Sequence, residues 1–263
     1  MSRYKDVPEE LAYRLFYPAP VYVISAAFGK DEDAMSAVWV SPLSLKPARV
    51  GVLISPERYA YSLIRKSKQF AINKLPFKYT QQMAFIGDVS KRFQRNKMEA
   101  SGLHLSVGRH SGIKVAKEAD AVVECRLETT YEVGDHDLMV GEVLSAYAVR
   151  EFDVVWNPSS HSYASYLGSV GEGETARRIF VSPTGETEET RWPRTDGVAR
   201  RTREHKTIEQ AGLAFKGQDV HDAAKAVSAK AGVKFEDSLM ILDELRRQGA
   251  LQLRGRLSSS DFE

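Results

Sequence analysis

The chain has 263 residues, with 37 basic and 35 acidic side chains and a formal charge of +2 at pH 7. Hydrophobic residues make up 43% and charged residues 27%, so there is enough apolar surface to offset the entropy of ordering, and a wholly disordered chain is excluded. The near-neutral balance leaves no global electrostatic footprint for nucleic acid, and the single cysteine, Cys125, excludes an internal disulfide or a cysteine-cluster metal site.

No stretch approaches the roughly 18 apolar residues of a membrane span. The first twenty residues lack the continuous apolar core of a secretory signal. A cytoplasmic location without membrane attachment is the resulting expectation.

Residues 21–28 (VYVISAAF), 37–40 (AVWV) and 49–55 (RVGVLIS) are short, apolar and β-prone, and predict strands. Pro42 and Pro47 withhold ladder donors and punctuate the region between them. Residues 59–68 (YAYSLIRKSK) place Tyr59, Leu63 and Ile64 at helical spacing. Their basic end suits the negative pole of a helix. A strand at 70–74 (FAINK) follows, then a helix and loop across 78–100.

Residues 121–131 alternate with period two. Ala121, Val123, Cys125, Leu127, Thr129 and Tyr131 take one face, and Glu124, Arg126, Glu128 and Thr130 are expected on a polar one. Gly134-Asp135 marks a turn into a partner strand at 138–149. Strands thus dominate residues 20–150. The pattern predicts a mainly β fold, an antiparallel barrel with inserted helices rather than a doubly wound sheet.

Composition changes after about residue 170. Residues 184–190 carry three acids, and 191–206 carry six basic and two acidic side chains, so 184–206 reads as a charged linker or arm. Residues 219–231 predict a helix ended by Gly232. Residues 235–248 predict a second, with Phe235, Leu239, Leu242 and Leu245 on one stripe. A strand-like ALQLRGRL follows. The expected division is 1–183 as the barrel unit, 184–206 as the arm and 207–263 as a small helical C-terminal extension resembling the end of a winged-helix unit. Its first helix carries only Lys225 and Lys230 as basic residues. A packing or dimer-stabilising role is therefore favoured over nucleic-acid binding.

In MSAVWVSPLSLKPARVGVLIS, the small residues Ser36, Ala37 and Ser41 would let a flat ligand approach the backbone, or would simply form a compact β-turn. The order of segments adds to this reading. PVYVISA, that stretch, RYAYSLIRKSKQFAINKLP and GDHDLMVGEV together resemble the flavin-reductase-like family, the FMN-binding split barrels that include flavoredoxins. The resemblance covers roughly residues 15–150, with an echo at 161–170 (HSYASYLGSV).

The resemblance implies an FMN-binding split β-barrel and a homodimer with FMN near its interface. By family position, Ser36, Ala37, Val38, Trp39 and Ser41 contact the flavin, mostly through backbone atoms. Ser55 reaches the ribityl chain or phosphate. Arg58 is a phosphate donor beside a helix start, with hydroxyls from Tyr61 and Ser62. Ala60 stands where the family commonly has Ser or Thr. Asn73 meets a flavin edge or satisfies a bulge. Ser90 matches a family serine, and Lys97 takes the place of a family lysine, with Lys91 as competitor.

His136 is implied at a turn near the flavin, positioning nicotinamide or moving a proton; bonding to Asp135 or Asp137 is the structural alternative. The remaining histidines have no metal-ligand spacing. The implied activity is hydride transfer from NADH or NADPH to FMN, with electrons passed to free flavin, a partner monooxygenase or another acceptor. An FMN-binding electron carrier, or a flavin-dependent sensor or regulator without NAD(P)H activity, is the alternative. No nicotinamide fingerprint separates the two.

Overall fold

The computed structural model describes residues 3–92, 94–153, 155–156, 162–171, 177–190, 207–247 and 251–255. After β1 (Ala19–Pro20), the apolar run Tyr22–Phe28 forms β2, which turns at Gly29 into β3 (Asp31–Ala37). Gly29 sits at φ +62°, a conformation glycine adopts without strain. The predicted strand at 37–40 is broken at Val38-Trp39, where β3 ends before β4 (Val40–Leu45) begins. Pro42 lies inside β4 rather than ending it, because β4 is an edge strand and its outer side needs no donors. β5 (Ala48–Ile54), helix α1 (Tyr59–Ser67) and β6 (Gln69–Lys74) match the sequence reading closely. Helices α2 (Thr80–Asp88) and α3 (Lys97–Ala100) follow, then the short hairpin β7 (Leu105–Val107) and β8 (Lys114–Ala116). The long hairpin β9 (Ala121–Glu132) and β10 (Asp137–Ala148) completes this part.

The main sheet has the order β3-β2-β6-β9-β10-β5-β4, with every neighbouring pair antiparallel. β3 and β4 are its two opposite edges, yet only Val38 and Trp39 separate them in sequence. The sheet must therefore curl until its edges meet. Leu53 N donates to Trp39 O at 3.0 Å, which extends the β4–β5 ladder by one residue into the link between the two edges. The result is the split β-barrel expected from the resemblance, with its seam at Val38-Trp39.

Ile24, Val52, Ile54, Phe70, Leu127 and Met139 fill the interior, joined by Ala60, Tyr61, Leu63 and Ile64 of α1. Gly141 sits at a bulge in β10. A Cβ there would fall 2.5 Å from Phe70 Cζ, so the ring occupies the place of a side chain.

The alternation across 121–131 does not give the expected polar face at Glu124. That residue is fully buried. Its carboxylate accepts hydrogen bonds from Arg109 N (2.7 Å), His110 N (3.0 Å), Ser111 N (2.6 Å) and Ser111 Oγ (2.6 Å). Burial of a charge is tolerated because the 109–111 loop supplies the donors that water would have given.

A second sheet, in the order β1-β11-β12-β13, adds β11 (Ser165–Val170), β12 (Arg177–Val181) and β13 (Thr187–Thr190). Thr187–Thr190 falls inside the stretch read as a charged arm, but it pairs with β12 and buries Thr190. Residues 191–206 lie outside the described residues. Met83, Ala84, Phe85 and Ile86 of α2 pack with Val21 and Val23 of the barrel and Phe180 of the second sheet.

The C-terminal extension holds α4 (Val220–Ala231) and α5 (Phe235–Arg247) around its own core of Ile208, Val227, Leu242, Leu245, Leu251 and Leu253. The predicted stripe on α5 is the buried one at Leu239, Leu242 and Leu245. Two ion pairs tie α5 to the barrel: Asp237 with Arg92 at 2.8 Å, and Arg246 with Glu132 at 3.3 Å. Asp219 caps α4 by accepting His221 N at 2.9 Å, and Gly232 closes it in the left-handed region. Asp219→Ala is expected to cost about 1 kcal/mol, read as a lower midpoint in urea unfolding of the full chain. No change in midpoint would show that the cap contributes nothing.

Candidate functional site

Where the seam meets the second sheet, a cavity of about 630 Å³ opens. The barrel side is Ser36, Ala37, Val38 and Trp39 at the seam, with Leu53 and Ser55 at the end of β5. Arg58 lines it immediately before α1. Its N donates to Ser55 O at 3.0 Å, and its carbonyl accepts Tyr61 N at 3.0 Å, so the turn entering α1 is hydrogen-bonded from both sides. Arg58 Nη1 donates to Gly87 O at 3.3 Å. Met83, Ala84 and Gly87 of α2 form the floor. Gly87 has a packing reason: a Cβ there would lie 3.2 Å from Ser36 Cβ, so glycine lets α2 lie close against β3. Ser36 Oγ donates to Met83 O at 2.5 Å and fixes the same contact.

An aromatic arc runs from the seam to the second sheet. The ring of His136 lies 4.9 Å from Trp39, Trp39 lies 5.9 Å from Tyr13, and Tyr13 lies 5.9 Å from Tyr17. The arc continues through Tyr17–Tyr166 at 5.2 Å and Tyr166–Phe180 at 5.4 Å. All five contacts are edge-on or tilted rather than face-to-face. Burial, then the neighbouring Tyr166 and Tyr13, hold the Tyr17 hydroxyl above the usual tyrosine range. Arg178 Nε donates to Asp88 Oδ1 at 2.6 Å, and its Nη1 donates to Tyr166 Oη at 3.4 Å. Burial works against the Arg178 charge, but the Asp88 carboxylate outweighs it and raises the guanidinium's pKa.

Seven of the residues singled out from the sequence come together here: Ser36, Ala37, Val38, Trp39, Ser55, Arg58 and His136. His136 Nδ1 also lies 2.9 Å from Asp135 Oδ1, so the turn contact and the cavity position coexist. The others stand apart from the lining. Ser41 is exposed on β4, and its hydroxyl donates to Pro42 O at 3.1 Å. Tyr61 is buried and donates to Asp137 Oδ2 at 2.6 Å. Ser62 donates to Tyr59 O within α1 at 2.8 Å. Asn73 clips three segments: Nδ2 donates to Val23 O and Ser25 Oγ, and Oδ1 accepts from Ala116 N. Ala60 is fully buried in the barrel core.

Ser90 and Lys97 line a second, water-sized pocket of about 10 Å³, which shares Arg58 with the larger cavity. Lys97 Nζ donates to Ala34 O at 2.6 Å and pairs with Asp33 at 3.3 Å. Burial lowers the Lys97 pKa and raises that of Asp33. Lys91 pairs with Asp31 instead. Among the described residues, no group of three His, Cys, Asp or Glu side chains is placed to hold a metal, and no helix is long and apolar enough to cross a membrane.

Sequence reasoning missed Tyr13, Tyr17, Tyr166, Arg178 and Phe180. Two signals were present: Tyr13 and Tyr17 are four residues apart, and Arg178 and Phe180 are on one face of a strand.

Residues 13–162 match the flavin reductase like domain. An uncharacterized protein of Aeropyrum pernix is 31% identical over 95% of this chain and 98% of its own. A ferric-chelate reductase (NAD(P)H) of Archaeoglobus fulgidus is 24% identical over 65% of this chain and 95% of its own. Among solved structures, the FMN-binding protein of Thermus thermophilus with bound p-hydroxybenzaldehyde is 26% identical, with a TM-score of 0.58, covering 72% of this chain and 99% of that one. A full-length relative and a domain match over more than half the chain, together with the split barrel, leave one conclusion: the chain belongs to the flavin reductase like domain family.

Proposed function

We propose that this protein is an FMN-binding oxidoreductase that takes hydride from NADH or NADPH. The observation that carries this reading is the make-up of the cavity's barrel side: an apolar slot lined by the seam and Leu53, continuous with a hydrogen-bonded turn that presents Arg58 and Ser55 before α1. Such a slot suits a planar ring system, and such a turn suits a phosphate. Bound there, FMN would supply two-electron hydride chemistry.

In this reading the seam backbone at Ser36–Trp39 holds the ring edge and Ser55 faces the ribityl chain. Arg58 holds the phosphate, and His136 orients the nicotinamide or holds a proton at its Nε2. Ser41, Tyr61, Ser62, Asn73, Ser90 and Lys97 act from outside the lining: Tyr61 and Ser62 by fixing α1, Asn73 by fixing the strands, and Ser90 and Lys97 beneath Arg58. A homodimer with FMN near its interface belongs to the same proposal. Leu43 and Leu45, on the edge strand that leaves the seam, are 47% and 89% exposed and offer an apolar face for it. The electron acceptor would be free flavin, a partner monooxygenase or a small molecule. Nucleic acid is not favoured, because Asp237 and Arg246 of α5 are engaged with the barrel.

The test is an FMN titration of the stripped full chain, read by quenching of flavin fluorescence, followed by oxidation of NADH and NADPH with FMN present. Saturable binding with turnover of either nucleotide is expected. No binding removes the reading, and binding without turnover replaces the reductase with an electron carrier or sensor.

A further inference from the structure

We propose that the aromatic half of the cavity is a subsite for an uncharged planar quinone, with the Tyr166 hydroxyl as hydrogen-bond donor to a quinone carbonyl. This rests on the reading that the seam half holds the flavin.

The rings of Tyr13, Tyr17, Tyr166 and Phe180 enclose a space whose walls come partly from β11 and β12. Tyr166, Arg178 and Phe180 all lie beyond the segment that matches the family domain. Tyr13 and Tyr17 lie inside that segment, so this half is assembled from both sides of its end. Its charges cancel rather than attract an anion. Arg178 is paired with Asp88, and the negative Glu10 on this wall is offset by Arg14, whose Nε donates to Tyr13 Oη at 3.3 Å. The diphosphate of a dinucleotide gains nothing from such a wall, whereas a neutral conjugated ring gains contact with four aromatic faces and edges.

The hydroxyl supplies polarity where a carbonyl needs it. Arg178 Nη1 donates to Tyr166 Oη, so the tyrosine's own proton is left to point elsewhere. A tyrosine receiving a hydrogen bond from a cation is also the better donor. The reaction balances. NAD(P)H and one proton reduce the quinone: the hydride supplies two electrons and one proton, the solvent proton supplies the second, and quinol and NAD(P)+ leave. Quinones also alkylate thiols, and this chain meets that hazard with a single cysteine that is buried, its thiol pushed up to about 12 by burial and then by Glu124.

The probe is menadione, measured by equilibrium dialysis against the full chain, stripped and FMN-loaded. Lawsone, a naphthoquinone that carries a negative charge at neutral pH, is the comparison. Menadione is expected to bind at least about tenfold more tightly than lawsone to the wild type. Tyr166→Phe is expected to weaken menadione about tenfold while FMN affinity changes less than about twofold. Equal affinity for lawsone, or unchanged menadione binding in Tyr166→Phe, overturns the subsite. If FMN does not bind but menadione does with this dependence, the flavin reading fails and the subsite stands. If FMN binds and menadione does not, the reverse holds.

Discussion

Glu124→Gln is expected to lower the stability of the full chain by about 3 kcal/mol at pH 7. The carboxylate takes one loop donor on Oε1 and three on Oε2. A glutamine has one acceptor oxygen. Placed at Oε2, it sets its NH2 against Arg109 N; placed at Oε1, it sets the NH2 against the other three donors. At least one buried amide then faces another donor, at about 1–3 kcal/mol, and the remaining hydrogen bonds lose the strength that charge gave them. The loop lies close against the carboxylate: a Cβ at Gly108 would fall 2.8 Å from Glu124 Oε2. Burial tends to raise the Glu124 pKa, but the hydrogen bonds from Ser111, His110 and Arg109 outweigh it and hold the carboxyl below the usual glutamate range. The stabilisation is therefore complete above the unfolded-state value of about 4.3 and disappears as pH falls through the lower folded value. Urea unfolding of wild type and variant should differ fully at pH 7 and converge under acid. Equal stability at pH 7 would mean that the loop finds other acceptors.

The same residue shows where the sequence was legible and where it was not. The period-two pattern located β9 correctly, because alternation records which side chains share a face. It misassigned Glu124, since a period says nothing about a loop arriving thirteen to fifteen residues upstream with four donors. β3 was hidden for a related reason. Asp31, Glu32 and Asp33 are residue types depleted in strands, but Asp31 is held by Lys91 and Tyr59, and Asp33 by Lys97. Those partners are distant in sequence, so local propensity pointed the wrong way. Caps, by contrast, are local: Gly232 ended α4 as the sequence indicated, because its left-handed conformation depends on glycine alone.

The cavity divides in the same way. Its seam half centres on Ser36–Trp39, with Ser55 and Arg58 at the following turn, and could be identified by resemblance. Its aromatic half is assembled from residues 10–17 and 166–180, which meet because β1 pairs with β11 and carries the N-terminal segment to the second sheet. No spacing within either segment announces the other. The seam is fixed by closure of the sheet, whereas the wall depends on the second sheet packing beside it.

Arg58→Ala is expected to weaken FMN binding about 100-fold and to leave the fold intact. A hydrogen bond to a charged group contributes about 1.5–3 kcal/mol, and a guanidinium can offer two to one phosphate. The turn itself survives, because it is held by backbone groups: Arg58 N to Ser55 O, and Tyr61 N to Arg58 O. The amides at the start of α1 remain and keep part of the affinity. Arg58→Lys keeps the charge and loses the fork, so an intermediate loss of about tenfold is expected. Riboflavin separates the explanations, because it carries the same ring and ribityl chain without the phosphate. Its affinity should be the same for wild type and Arg58→Ala, and the wild-type preference for FMN should shrink as salt rises. If riboflavin weakens as much as FMN does, Arg58 shapes the cavity through its contact with Gly87 O, and the phosphate belongs elsewhere.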